Sequence, residues 1–482
     1  MVKVDNYEIR KICCIGAGYV GGPTMVVFAD KCPNINFHVV DINDEKIKAW
    51  NNEDLSKLPV FEPGLDKLVQ KCRGENLFFS TEIEQHIANA DMIFISVNTP
   101  TKRKGIGAGK ASNLMYVEAC ARQVAKYARE HTIVVEKSTL PVRTAEVIKT
   151  ILEESKNNMI TNSEKPTFDV LSNPEFLSEG SAIKDLNEPD RVLIGGDNIE
   201  AIDTLSKIYQ KWVPKSKILH TNIWSSELAK LTANAFLAQR ISSINSISAL
   251  CEATGANIRE VSRAIGTDNR IGSKFLDSGP GFGGSCFKKD ILNLVYLSNH
   301  FGLPEVANFW ESVVEMNNWH QHRISKLIVQ KLFGTISGKK ILILGFAFKA
   351  NTNDTRESAA IQICRDLLEE GANLIINDPI VDAKQIAIDL ESNIVKTQNE
   401  KIIYKSDYYE GSWSFTNDLN SSFIDTHAIV ILTEWEEYEN IDWVNCAKSM
   451  KKPSWIFDSR LIVKPKNILD ANLNLWQIGN GT

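Results

Sequence analysis

The run Gly279-Pro280-Gly281-Phe282-Gly283-Gly284-Ser285-Cys286-Phe287-Lys288-Lys289-Asp290 joins a nucleophile to a backbone able to come close to a ligand. Four glycines within six residues leave little side chain to hold a bound molecule away. Cys286 follows at a predicted helix start, where a thiol is biased toward thiolate, the nucleophilic form. Asp290, four residues on, falls one turn along the same face. A structural loop closed by a small buried thiol has the same composition, so the reading turns on what else the chain carries.

It also carries Gly16-Ala17-Gly18-Tyr19-Val20-Gly21, a GxGxxG after an apolar run and before a helical pattern. The glycines allow a tight turn and close backbone approach, and a helix N-terminus favours pyrophosphate charge. Asp41 stands 20 positions beyond Gly21, at the end of a predicted strand Phe37–Val40. There its carboxylate can bond the adenine ribose hydroxyls. An acid at this place, with no arginine beside it, repels a 2′-phosphate and selects NAD over NADP. Lys46 has the reach for a ribose or a phosphate, and a solvated helix lysine is the equal alternative.

A simple alcohol dehydrogenase needs only a base and stops at the carbonyl. Going on to an acid requires the aldehyde to become a hydride donor again. Thiolate attack achieves this through a thiohemiacetal, whose second hydride passes to a second NAD, leaving a thioester for water to hydrolyse. A nicotinamide fold with a glycine-cradled cysteine meets the needs of that four-electron oxidation.

The elements that must hold these groups alternate along the chain. Apolar runs at Lys11–Ile15, Met92–Val97, Ile133–Glu136 and Val170–Leu171 read as strands, with helical spacing between, as at Tyr116–Glu130. Such alternation implies a mostly parallel sheet covered on both faces. From Ser225 to Thr254 there is neither glycine nor proline. Leu228, Leu231, Ala235, Ala238 and Ile241 recur at helical spacing, predicting a long helix with Ser225 or Ser226 as N-cap and Glu227 in its first turn. After a Gly334–Gly338 linker the opening pattern returns. Lys340–Leu344 ends in glycine, Leu374–Ile376 leads to Asp378, and Val430–Leu432 and Ile456–Asp458 follow. The fold class expected is α/β: two doubly wound Rossmann-like domains joined by a helical domain with a long central helix. The expected domains are 1–222, 223–333 and 334–482. The polar stretch Thr397–Asn420 reads as a surface loop or insertion.

With 54 basic and 60 acidic residues the net charge is −6, which provides no broad basic surface for nucleic acid. Met1–Arg10 lacks the apolar core of a secretory signal, and no run approaches a membrane span. Nine cysteines without paired spacing predict no metal centre and a reduced intracellular compartment. Cys13 and Cys14 read as buried and inert.

GAGYVGGP at Gly16–Pro23, ISVNTPT at Ile95–Thr101, EKST at Glu136–Thr139, NPEFLSEG at Asn173–Gly180, the helix Ser225–Ala256, GFGGSCFKKD at Gly281–Asp290, GFAFKANTNDTRES at Gly345–Ser358 and FDSR at Phe457–Arg460 stand in one order over nearly the whole chain. Together they resemble the animal-type UDP-glucose 6-dehydrogenases of the UDP-glucose/GDP-mannose dehydrogenase family. The resemblance implies Cys286 as nucleophile, with Lys230 and Asn234 facing the reacting carbon and Lys230 stabilising an oxyanion. It implies Asp290 working with a water, Thr139 placing that water, Glu175 as base for thioester hydrolysis and Glu179 near the nicotinamide. To the NAD site it adds Val97, Asn98, Thr99, Pro100, Thr101, Ser138 and Arg356. For UDP-glucose it adds Phe176, Leu177, Arg270, Lys274, Phe275, Gly281, Phe282, Gly283, Phe348, Lys349 and, from a neighbouring subunit, Arg460. A homo-oligomer, dimers building to hexamers, is implied too, as are a cytoplasmic location and no nucleic-acid or membrane partner. The alternative substrates are UDP-N-acetylmannosamine and GDP-mannose. The sequence departs from the pattern at Asp277, where close animal relatives carry a basic residue, and at Ser459 and Leu461 in the FDSR region.

Overall fold

Every second residue of the first strand faces one side of a sheet, and both sides are covered. In the computed structural model, which describes residues 8–139, 141–157, 165–398 and 401–481, Ile12 and Cys14 join one apolar core while Cys13 and Ile15 join another. Met1–Tyr7, and with them most of the segment read for a signal, lie outside the described residues. The chain divides into two units, Met1–Ala233 with Tyr296–Gly302, and Asn234–Val295 with Leu303–Thr482.

The first unit holds β1 (Lys11–Ile15), β2 (Asn36–Val40), β3 (Leu77–Ser80), β4 (Met92–Ile95), β5 (Thr132–Glu136), β6 (Phe168–Ser172), β7 (Val192–Gly196) and β8 (Ile218–Thr221). Their order is β3-β2-β1-β4-β5-β6-β7-β8, and every neighbouring pair is parallel except β6 with β7. The first six strands thus follow the winding of dinucleotide-binding sheets, whose ligands lie beyond the carboxyl ends of the strands. Cys13 and Cys14 are fully buried, and burial pushes the Cys14 thiol up to about 12. Among the described residues Cys286 is the one cysteine that is not buried.

The long helix runs Ile223–Thr254, starting earlier than its serines suggested. Asn222 accepts the Ser225 N–H at 2.7 Å and so takes the capping role, while Ser226 turns inward to the Ser172 carbonyl. Helices Ile258–Gly266, Phe287–His300 and Pro304–Lys331 complete the helical section.

The second sheet contains β9 (Lys340–Leu344), β10 (Asn373–Asn377), β11 (Asn393–Gln398), β12 (Lys401–Lys405), β13 (Ser412–Phe415), β14 (Ala428–Ile431), β15 (Trp455–Asp458) and β16 (Asn474–Gln477). The order is β11-β12-β13-β10-β9-β14-β15-β16. Within Thr397–Asn420, expected as a surface loop or insertion, β12 and β13 extend this sheet, β11 pairing antiparallel with β12 and β12 with β13. β11, the edge strand, and β12 beside it carry lysines, and charge at a sheet edge discourages pairing with another chain. The two sheets repeat one device at their first crossover. Gly16 N–H meets the Val40 carbonyl at 2.7 Å and Gly345 N–H meets that of Asn377 at 2.8 Å. Asp41 then accepts the Ala17 N–H, and Asp378 accepts that of Phe346. Among the described residues no helix is long and apolar enough to cross a membrane.

Candidate active site

The glycine loop after β1 is built for close approach. A Cβ on Gly16 would lie 2.1 Å from the Ser96 carbonyl oxygen, and one on Gly21 would lie 2.0 Å from that of Gly16. Gly18 meets nothing within 4 Å, which leaves its side open to a ligand. Tyr19 and Val20 lead into the helix Gly21–Lys31. At the end of β2, Asp41 accepts the N–H groups of Ala17 and Asn43, each at 3.0 Å, and Lys46 reaches its Oδ2 at 3.0 Å. Burial opposes ionisation of Asp41, but these donors prevail and hold its carboxyl below the usual range. Lys46 is thus paired with Asp41. Val97–Thr101 follows β4 and is tied to the segment after β5. Ser138 Oγ donates to the Val97 carbonyl at 2.7 Å, and Thr99 Oγ1 to that of Thr139 at 3.0 Å. An open glycine turn beside a carboxylate fits the pyrophosphate and ribose of NAD.

Behind this loop lie the predicted acid and lysine. Glu175 Oε1 accepts from Thr139 Oγ1 at 3.2 Å and lies 3.5 Å from the Lys230 ammonium. Both charged groups are buried. The other Glu175 oxygen, Oε2, has no partner among the described residues. Asn173–Ser178 is irregular, so Glu175 and Glu179 do not share a helix face, and Glu179 falls in the turn that follows. Phe176 stacks under the Arg191 guanidinium at 3.7 Å, a partner that sequence reasoning missed, and Leu177 packs on the sheet core. Glu227 accepts the N–H groups of Arg143 and Ala145, fixing the start of helix Thr144–Asn157 beyond Thr139.

In the second unit the cysteine loop is held from above and below. Asn317 accepts the Phe282 N–H at 2.9 Å and returns a bond to its carbonyl at 3.1 Å. Asn245 accepts the Gly279 N–H at 3.0 Å, and His320 Nε2 donates to the Gly279 carbonyl at 2.9 Å. Burial, with Arg323 nearby, pushes His320 down to about 3, so the imidazole is neutral. None of these three residues was singled out from sequence. For Asn317 and His320, three apart on helix Pro304–Lys331, their shared face was the available signal. Gly284 N–H donates to the Arg356 carbonyl at 2.8 Å, and Ser285 Oγ approaches Cys286 Sγ at 3.4 Å. Cys286 precedes helix Phe287–His300, as expected, and Asp290 accepts the Asn234 amide at 2.6 Å.

Of the remaining predicted contacts, Arg356 is paired with Asp354 at 2.6 Å and Arg460 with Glu434 at 3.0 Å. Arg460 also donates to the Leu432 and Phe348 carbonyls. Lys349 lies over the Phe348 ring. Arg270, Lys274 and Phe275 belong to an exposed turn, with Arg270 paired to Asp268 and Phe275 at φ 61°. The Cys286 loop tolerates no bulk on one side: a Cβ on Gly283 would lie 2.6 Å from the Glu357 carbonyl oxygen and 2.9 Å from Phe348 Cβ. Gly283→Ala should displace the loop. The expected result is a fall in kcat of about 100-fold with NAD affinity unchanged, measured by steady-state kinetics and by NAD titration.

The chain matches three consecutive parts of the UDP-glucose/GDP-mannose dehydrogenase family: the NAD binding domain at residues 10–213, the central domain at 224–319 and the UDP binding domain at 342–465. It is 53% identical over 473 residues to the UDP-glucose 6-dehydrogenase of Drosophila melanogaster, covering 97% of this chain and 96% of that one. The chain belongs to this family. This dehydrogenase is thus an NAD-dependent oxidoreductase. It is also 51% identical to UDP-glucose 6-dehydrogenase 1 of Glycine max, over 97% of each chain. Among solved structures, a UDP-glucose dehydrogenase from Pyrobaculum islandicum is similar with a TM-score of 0.82 at 27% identity, covering 99% of both chains. A UDP-D-ManNAc dehydrogenase from Pyrococcus horikoshii follows with a TM-score of 0.79 at 26% identity, covering 98% of this chain and 99% of that one.

Proposed function

We propose that this dehydrogenase oxidises UDP-glucose at C6 to UDP-glucuronate, retaining the carbon on Cys286 between the two oxidations. The observation that carries the reading is Cys286 itself, the cysteine outside the core, on a glycine loop beside an Asn234–Asp290 pair. When bound by Gly16–Gly21, Asp41, Val97–Thr101 and Ser138, NAD supplies the hydride acceptor for each oxidation. Cys286 adds to the aldehyde as a thiohemiacetal and afterwards holds the carbon as a thioester. Lys230 stabilises the oxyanion at the same carbon, with Asn234 one turn along the helix. Asp290 takes the proton through a water. Glu175, with Thr139 bonded to it, activates the water that hydrolyses the thioester, releasing carboxylate and thiol.

The UDP-glucose group would be held by Phe176, Leu177, Arg270, Lys274, Phe275, the Gly281–Gly283 loop, Phe348, Lys349 and Arg460, the cations facing its diphosphate. The parts 1–222, 223–333 and 334–482 serve as cofactor, helical and UDP-sugar domains of a cytoplasmic homo-oligomer. The 53% identity to the Drosophila enzyme favours UDP-glucose. The 26% identity to the UDP-D-ManNAc dehydrogenase keeps that sugar nucleotide as the second reading, beside GDP-mannose. The test is reaction to completion with each of the three. Two NADH per UDP-glucose, with the others slow, is the expected result. One NADH per sugar would show that the reaction stops at the aldehyde, and preference for another sugar would replace the substrate.

A further inference from the structure

β5 and β6 run parallel, with Glu136 opposite Ser172, and the segments leaving them stay joined by side chains. Asn173 N–H first donates to the Glu136 carbonyl at 2.9 Å. Lys137 Nζ then donates to Asn173 Oδ1 at 3.0 Å, and Thr139 Oγ1 to Glu175 Oε1 at 3.2 Å. Lys137 and Asn173 are thus the rung immediately behind Thr139 and Glu175. Lys137 is only 3% exposed, and among the described residues no carboxylate lies within ion-pair distance of it. Its second acceptor is the Tyr209 hydroxyl at 3.2 Å, which itself donates to Asn173 Oδ1 at 2.7 Å. Asn173 completes the cluster by donating to the Leu193 carbonyl at 2.8 Å.

A buried ammonium resting on neutral oxygens is unfavourable, and a methionine would fill the same space without charge. Burial accordingly lowers Lys137 to about 8, with Glu175 favouring its charged form and Lys230 opposing it. The other titratable groups around it are neutral. Burial pushes the Cys14 thiol up to about 12 and raises the Tyr209 hydroxyl as well. The charges bearing on Lys137 are therefore Glu175 and Lys230, both placed in the chemistry above.

We propose that Lys137 is a positioning residue for the hydrolytic half of the reaction, its ammonium fixing Asn173 and supporting the Glu175 carboxylate from behind. The proposal rests on Glu175 as the hydrolytic base. Lys137→Met should lower kcat about 10-fold or more at pH 7, with KM for UDP-glucose and NAD near wild type. Rapid mixing should show a burst of two NADH per site before slow turnover, because the thioester accumulates. Wild-type kcat should fall as pH rises through about 8, and Lys137→Arg should keep activity while losing that limb.

A thermal comparison without substrate reads the buried charge directly. The folded chain holds Lys137 at a pKa below its ordinary value, so it binds fewer protons there than the unfolded chain. Wild-type stability therefore rises with pH between about 8 and about 10.5, relative to Lys137→Met. The variant's Tm should be higher at pH 7, with the gap closing toward pH 10. A Tm gap that ignores pH, or Lys137→Met with wild-type kcat and pH profile, would overturn the proposal. So would loss of turnover without a burst that Lys137→Arg fails to restore. If the wild type itself makes no NADH from UDP-glucose, the functional reading fails, and the assignment of Lys137 falls with it.

Discussion

Cys286→Ser is expected to reduce NADH production from UDP-glucose by about 1,000-fold or more, equivalent to about 4 kcal/mol of transition-state stabilisation. A serine hydroxyl has no thiolate form near neutral pH, and without an adjacent base it is a weak nucleophile. The change exchanges one sulfur, 3.4 Å from Ser285 Oγ, for a smaller oxygen. Asn317, Asn245 and His320 hold the loop through Phe282 and Gly279, so its shape should survive. NAD titration should accordingly give wild-type affinity, and Tm should change little. The decisive comparison is kcat beside those controls. Turnover within about 10-fold of wild type would remove Cys286 from the covalent route, since nucleophile loss in comparable enzymes costs orders of magnitude more.

Lys230→Gln is expected to be the next most damaging change, lowering kcat by about 100- to 1,000-fold, or about 3–4 kcal/mol. The reasoning is electrostatic. Lys230 and Glu175 are both buried and 3.5 Å apart, in surroundings where charge is poorly screened. Glutamine keeps polarity and much of the length while deleting the charge, so a positioned cation is tested apart from packing. KM for NAD should be unchanged, because the glycine loop and Asp41 lie on other elements. Some loss of Tm is also expected, as removing one partner of a buried pair leaves the other uncompensated. A variant with kcat within about 3-fold of wild type would show that the ammonium is structural rather than a stabiliser of developing charge.

Much of this was legible because it is local. The glycines of Gly16–Gly21, the aspartate after β2 and the cysteine before helix Phe287–His300 are short-range signals, and each falls where its spacing placed it. The Ile223–Thr254 helix declared itself by an unbroken apolar period, although its cap did not. Asn222 outcompeted Ser225 and Ser226 because Ser226 is drawn inward to Ser172, a partner 54 residues away. The same cause hid the clamp on the cysteine loop. Asn317 and His320 act on residues 35 and 41 positions earlier, and nothing in their own neighbourhood names those targets. The segment around Glu175 is irregular. There Asn173 and Glu175 bond to the segment after β5 instead of to their own turn. The β11–β13 extension was missed because its short strands are interrupted by polar sequence that resembles a loop.

Counting lone pairs separates the two sheets that otherwise repeat one design. A carboxylate offers about four acceptor sites. Asp41 has three taken, by Ala17, Asn43 and Lys46, and retains acceptor valence for an incoming hydroxyl. Asp378 takes five donors, the N–H groups of Phe346, Ala347, Ile380 and Val381 and the Trp435 indole, and is saturated by its own chain. Among the described residues the Asp41 carboxylate thus accepts fewer bonds than that of Asp378. A ribose diol held at β2, as proposed, would find no counterpart at β10. The same winding is in this way two receptors of unlike grammar, and a nucleotide bound by the second must be recognised through donors rather than through that acid.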